Sequence, residues 1–177
     1  MDDYAKHGHL PRLAPEYYRG LVVVHWVMTV DDRRTGWLTP QFHTHCRETL
    51  LHTMVRYSLL SPAYCLTPDH AHFVWMGVNA AADLVLAAEF FRRQTNPLLT
   101  PMSWQKECYD HVLREPERKR GAFGSICHYV LENPVRKGLV ENWAKWRFRA
   151  QLCRGIPPGI RGGKIFGTCF GKSTTSG

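Results

Sequence analysis

The sequence predicts an α+β fold: one mainly antiparallel sheet in a βαββαβ order, with an additional helix at its C-terminal end. Three observations predict it. Four runs rich in β-branched and aromatic residues have the length of strands. Two segments between them repeat apolar residues at helical spacing, and a third helical segment follows the last strand. That order is the ferredoxin-like plan. At 177 residues, 44% of them hydrophobic, the chain is long enough for one domain with a core of its own.

Taken in order, residues 1–16 are polar and proline-containing and read as an N-terminal arm, and residues 17–142 form the domain. Segment 18–30 is a strand that ends in the turn Asp31-Asp32-Arg33-Arg34-Thr35-Gly36. A helix follows, capped by Thr39 and opened by Pro40, with Phe42, Cys46, Leu50 and Met54 on its apolar face and Leu51 and Val55 beside them. Segments 57–66 and 70–78 flank Thr67-Pro68-Asp69 and form a hairpin. Segment 80–95 is a second helix, with Asn79 as its cap, Leu84, Val85, Ala88 and Phe91 at helical spacing, and Arg92-Arg93 near its C-terminal end. Segment 104–113 alternates as a strand of mixed polarity, 114–120 is a charged connector, and 122–132 is the third helix. Pro134 disfavours helical geometry at Asn133, and Gly138 suits a chain reversal, so this helix is expected to end at Asn133. Residues 143–177 form a basic tail. Seven of its last 23 residues are glycine, which argues against membership of the core.

The formal net charge is +8, and from Trp143 onward there are seven basic residues and no acidic one. Such a balance favours an acidic partner such as nucleic acid. The six cysteines include no CxxC pair and no compact disulfide pattern, and read as reduced thiols of a cytoplasmic protein. The most apolar run, 21–30, is too short to cross a bilayer, and the N-terminus lacks the pattern of an export signal.

Two short stretches carry candidate chemistry. His70-Ala71-His72 places two imidazoles on one face of a strand, about 7 Å apart along the backbone, a spacing that suits two ligands of one metal ion. Tyr129 and Asn133 are spaced i,i+4, so a helix that persists through both directs a phenol and a carboxamide to one side. Each has an ordinary explanation alone: a chance pair among ten histidines, a half-buried packing tyrosine, a helix-terminating asparagine. Together they offer metal ligands, a nucleophile and a basic surface in one small domain.

These residues resemble those of the HUH single-tyrosine transposases, in the branch of REP-associated tyrosine transposases. Residues 67–74, with His70-Ala71-His72 at their centre, resemble the family's histidine–hydrophobe–histidine strand. Tyr129, Asn133-Pro134, Arg136-Lys137, Gly138 and Leu139-Val140 resemble its tyrosine signature. Residues 104–114 resemble the strand before the catalytic helix, and the likeness spans roughly 18–141. Asp69 stands where the family often has Asn, and the segment after Glu141 lacks the family's usual ending.

The resemblance implies cleavage and rejoining of single-stranded DNA next to short hairpins. In that reading Tyr129 is the nucleophile that becomes linked to a 5′ phosphate, and His70, His72 and Asn133 hold a divalent ion. Mg²⁺ is the abundant cation, Mn²⁺ binds such a mixed nitrogen and amide set more tightly, and Zn²⁺ also fits the ligand types. A phenol with the ordinary pKa near 10 needs help with deprotonation, and the sequence does not name the group that gives it. Arg92, Arg93, Arg136, Lys137, Lys145, Arg147 and Arg149 are candidate DNA contacts, each weighed against plain solvated charge. Trp143, Trp146 and Phe148 interleave with the last three as base-stacking residues or as packing residues. Both a homodimer and a monomer remain open, with residues 133–138 as a hinge for exchange of the tyrosine helix. So do two other functions: a catalytically idle DNA-binding regulator of repeated palindromic elements, and a metal-dependent hydrolase that uses water.

Overall fold

The computed structural model describes residues 12–150. Its strands are β1 (Val23–Thr29), β2 (Leu59–Leu66), β3 (His70–Gly77), β4 (Tyr109–Val112) and β5 (Arg149–Ala150). Its helices are α1 (Pro40–Arg56), α2 (Leu84–Thr95), α3 (Glu115–Lys119) and α4 (Ala122–Arg136). The strands form one sheet in the order β4-β1-β3-β2-β5, with every neighbouring pair antiparallel. The expected βαββαβ order is present, and β5 adds a fifth strand at the β2 edge.

Strand alternation decides what each face of the sheet covers. Ala71, Phe73 and Trp75 of β3, with Trp26 and Met28 of β1, enter one core with Phe42, Cys46 and Leu50 of α1 and Leu84, Ala88 and Phe91 of α2. Val74 and Met76 point the other way and meet Phe123, Cys127, Val130 and Leu131 of α4, together with Val23, Ala63 and Cys65. His70 and His72 share the parity of Val74 and Met76, so they lie under α4. Leu51 and Val55 are exposed, so the apolar stripe of α1 is narrower than its sequence suggests.

Four elements differ from expectation. α2 begins at Leu84, because the Asp83 carboxylate accepts from the Leu86 N–H at 3.1 Å, while Asn79 caps only the preceding turn at Ala81. The strand expected over 104–113 is reduced to β4. Trp104 is buried instead, with its ring against Trp37 and its Nε1–H donating to Thr95 Oγ1 at 2.8 Å, and it contributes a single bridge to Val30. The connector after β4 contains α3, whose start is fixed by the Arg114 N–H donating to the Glu117 carboxylate at 2.7 Å.

α4 also runs past its expected end and includes Pro134. Proline lacks the N–H that would reach Val130 O, and the turn that follows closes the helix by satisfying the carbonyls of residues 133–135. The Lys137 N–H donates to Asn133 O at 3.0 Å, Gly138 to Val135 O at 2.9 Å and Leu139 to Pro134 O at 2.8 Å. With Gly138 at φ +68°, this is a Schellman cap that only glycine adopts without strain.

Residues 143–150 lie against the domain. Trp143 and Trp146 pack on the α4 side, the Trp146 Nε1–H donates to Leu66 O at 2.8 Å, and β5 pairs with Tyr64 and Cys65. The glycine-rich part of the expected tail, 151–177, and the arm up to residue 11 lie outside the described residues. Cys46, Cys65, Cys108 and Cys127 are buried thiols outside any disulfide, and burial pushes the first two up to about 12. Among the described residues no helix is long and apolar enough to cross a membrane.

Candidate active site

β3 carries His70 and His72 on the α4 side of the sheet, and their Nε2 atoms stand 2.9 Å apart. The hairpin turn sets this approach. The Thr67 N–H donates to His70 O at 2.8 Å, and the Thr67 hydroxyl donates to the same carbonyl at 2.9 Å. Asp69 then fixes the first ring: His70 Nδ1–H donates to Asp69 Oδ1 at 2.6 Å, and Arg33 holds the other carboxylate oxygen at 2.8 Å. Burial raises the Asp69 carboxyl, but His70 and Arg33 more than offset this and keep it below the usual carboxylate range. An ionised carboxylate only accepts, so the His70 proton sits on Nδ1 and the Nε2 lone pair is bare when the ring is neutral. Burial favours that neutral form; it lowers the His70 pKa, with the Asp69 charge opposing and Lys137 and Arg33 adding.

The second ring has a different partner. His72 Nδ1 lies 3.1 Å from Nε2 of His25 on β1, and the two rings stack at 15° with centroids 5.3 Å apart. His25 is buried, which pushes its pKa down to about 3, with His111 on β4 contributing. His72 is held well below the ordinary value by burial first, then by His25, His70 and Lys137. The result is a buried row of neutral imidazoles.

α4 supplies the opposite wall. The Tyr129 ring stands nearly perpendicular to His72 and to His25, with centroids 6.0 and 6.1 Å away. One turn later Asn133 is buried at 3% exposure, and its Oδ1 has no hydrogen-bond partner. Another turn later comes Lys137, close enough for its charge to depress both His70 and His72. The guanidinium of Arg136 lies 4.8 Å from the centroid of the Tyr129 ring. Persistence of the helix through Pro134 therefore gives Tyr129, Asn133 and Lys137 one common face.

The other basic candidates lie elsewhere. Arg92 and Arg93 are on α2, across the sheet from the histidines; Arg92 donates to Gln105 O and Arg93 lies over Phe90. Arg149 covers Trp143 at 4.3 Å and donates to its carbonyl, Arg147 covers Phe148, and Lys145 pairs with Glu141 at 3.6 Å. The three aromatic residues of this segment pack against the domain.

Two participants escape the sequence reading. Asp69 reads in the sequence as a turn residue and as a departure from the family's usual Asn, with no role toward His70. His25 shares a strand face with Val23 and Val27, but its meeting with His72 depends on the register that sets Val27 opposite His72.

These residues fit a divalent cation by donor chemistry. A bare Nε2 on His70, a second Nε2 beside it and a buried amide oxygen without a partner are a nitrogen and oxygen donor set for Mn²⁺ or Mg²⁺. Among the described residues no three His, Cys, Asp or Glu side chains form such a group, so a third protein donor here has to be of another type, as Asn133 is.

The sequence matches no family model and no curated protein. Among solved structures, a REP-associated tyrosine transposase bound to a REP hairpin superposes with a TM-score of 0.66, over 90% of this chain and 93% of that chain, at 20% identity. The chain has the fold of a tyrosine transposase. In this chain the antiparallel sheet, with helices on both faces, presents strand histidines to a helix-borne tyrosine, and the fold by itself assigns them no role. The side chains that do so here are this chain's own.

Proposed function

We propose that this chain is a metal-dependent single-stranded DNA endonuclease and strand transferase that forms a 5′-phosphotyrosine intermediate on DNA next to a hairpin. The observation that carries the reading is the 2.9 Å approach of two neutral imidazole nitrogens beside the ring of a helix-borne tyrosine. Two acceptor nitrogens at that distance repel unless a proton or a cation lies between them. His70, His72 and Asn133 would hold Mg²⁺ or Mn²⁺. A cation held by these residues would supply Lewis-acid polarisation of the scissile phosphate.

Tyr129 then does the covalent work. Its phenol gives up its proton to solvent as the oxygen forms a bond to phosphorus and the bond to the 3′ oxygen breaks, and that oxygen takes a proton from solvent and leaves as a 3′ hydroxyl. The ester conserves the phosphodiester energy, so attack by another 3′ hydroxyl reseals DNA and regenerates tyrosine. Lys137 and Arg136 place positive charge beside the reacting group and serve as phosphate contacts. Lys145, Arg147 and Arg149 extend the basic surface along the β2 edge; Arg92 and Arg93, across the sheet, are outside this contact. The hairpin bound by the structural neighbour supports a hairpin with an unpaired flank as the substrate class.

The test is incubation with a labelled pool of single-stranded hairpins and Mn²⁺ or Mg²⁺, followed by denaturing electrophoresis. A covalent adduct that disappears in Tyr129→Phe, with DNA binding retained, is the expected result. Cleavage that survives Tyr129→Phe points to a water-using hydrolase, and binding without any adduct points to a regulator.

A further inference from the structure

We infer that His25 is a positioning residue for the proposed metal site: by accepting the Nδ1 proton of His72, it frees His72 Nε2 to act as a ligand. This inference rests on the reading of His70 and His72 as ligands, and adds a residue that does not itself touch the ion.

The argument is a count of protons along a buried row. His70 is anchored by Asp69, which takes its Nδ1–H and leaves Nε2 bare. His72 faces that bare nitrogen with its own Nε2 at 2.9 Å and faces His25 Nε2 with its Nδ1 at 3.1 Å. A neutral imidazole has one N–H, so only two arrangements place one proton in the contact between His72 Nδ1 and His25 Nε2. In one, His25 donates to His72 Nδ1, the His72 proton sits on Nε2, and it donates to His70 Nε2; the pair is then closed by a hydrogen bond and offers a cation no free lone pair. In the other, His72 donates from Nδ1 to His25 Nε2, and two bare Nε2 atoms converge. The second is the only one that chelates, and it requires His25 to accept.

His25 is built for this rather than for packing alone. It lies on the strand face of Val23 and Val27 at 6% exposure, a place where an apolar side chain would spare the desolvation of an imidazole. Its ring is nearly parallel to that of His72, at 15°, with centroids 5.3 Å apart and the facing nitrogens 3.1 Å apart, within hydrogen-bond distance. Its far side is toward β4, where His111 is the register partner. Groups that fix the tautomer of a ligating histidine commonly change metal affinity by roughly 10- to 100-fold when removed.

The experiment uses the full chain without DNA and counts free Mn²⁺ by electron paramagnetic resonance during titration. His25→Leu is expected to weaken Mn²⁺ binding roughly 10- to 100-fold. His25→Gln, whose amide oxygen can accept from His72 Nδ1–H, is expected to recover most of that loss. Equal affinity in the wild type and both variants overturns the inference while leaving the metal reading intact. A wild-type chain that binds no Mn²⁺ overturns both. Nitrogen NMR of the Mg²⁺-loaded wild type needs no variant to fold: a His72 proton on Nδ1 is the expected signature, and one on Nε2 overturns the assignment.

Discussion

Asp69 accepts a 2.6 Å hydrogen bond from Nδ1 of its own neighbour in sequence, His70, while Arg33 holds its second oxygen at 2.8 Å. The arrangement orients the imidazole from behind. Asp69→Ala is therefore expected to lower Mn²⁺ affinity about 10-fold, and Asp69→Asn, which still presents an accepting oxygen, is expected to lose less. Mn²⁺ titration of the two variants checks the order, and equal losses would remove the orienting role.

The basic pairs Arg136-Lys137 and Arg92-Arg93, on opposite sides of the sheet, should behave differently toward DNA. Lys137→Ala is expected to weaken hairpin binding and to reduce the slope of log K against log salt by about one. Arg93→Ala, across the sheet over Phe90, is expected to leave that slope unchanged. Fluorescence anisotropy at several salt concentrations measures both, and a larger change for Arg93 would relocate the DNA track.

Gly77 ends β3 where the chain passes Gly20 at close range. A Cβ on residue 77 would lie 1.9 Å from the Gly20 carbonyl oxygen and 2.8 Å from Cβ of Ala82. The first obstacle is backbone, so it cannot turn aside. Gly77→Ala is expected to destabilise the fold by about 2–3 kcal/mol in urea unfolding. Gly138→Ala, with open space around it but φ +68°, is expected to cost only about 1 kcal/mol.

His43 provides a pH dependence away from the proposed metal site. Its Nε2 meets the Tyr64 hydroxyl at 2.8 Å, and its pKa is pushed down to about 4 by burial, then by Arg47 and Arg147. An unfolded histidine titrates near 6.5. Between pH 6.5 and 4 the unfolded chain binds a proton that the folded chain does not, so stability falls as pH falls through that window. His43→Gln should flatten this dependence by roughly 1–2 kcal/mol, a figure reduced for partial solvent screening. Urea midpoints at pH 7.5 and 4.5 for both proteins give the difference, and identical slopes would contradict it.

Much of the fold was legible because it depends on local pattern. Thr39-Pro40 marks the start of α1, Thr67-Pro68-Asp69 marks the hairpin, and strand alternation separates His70 and His72 from Ala71. Features that depend on tertiary partners were not. Trp104 left its strand because Thr95 and Trp37 hold it on the far side of the sheet. Pro134 stayed in α4 because Gly138 and Leu139 return hydrogen bonds to the last turn. The candidate site divides the same way: the His70/His72 and Tyr129/Asn133 spacings are periodic, whereas His25 joins them only through the pairing of β1 with β3.

α4 packs on its own sheet, with Phe123, Cys127, Val130 and Leu131 against Val23, Ala63, Cys65 and Val74. One polypeptide therefore contributes both the imidazole half and the phenol half of the proposed site. This has a genetic consequence. Co-expression of a His70→Ala chain with a Tyr129→Phe chain should not restore DNA cleavage, because each chain keeps its own defect in its own site. Restored cleavage would show instead that tyrosine helices are traded between copies.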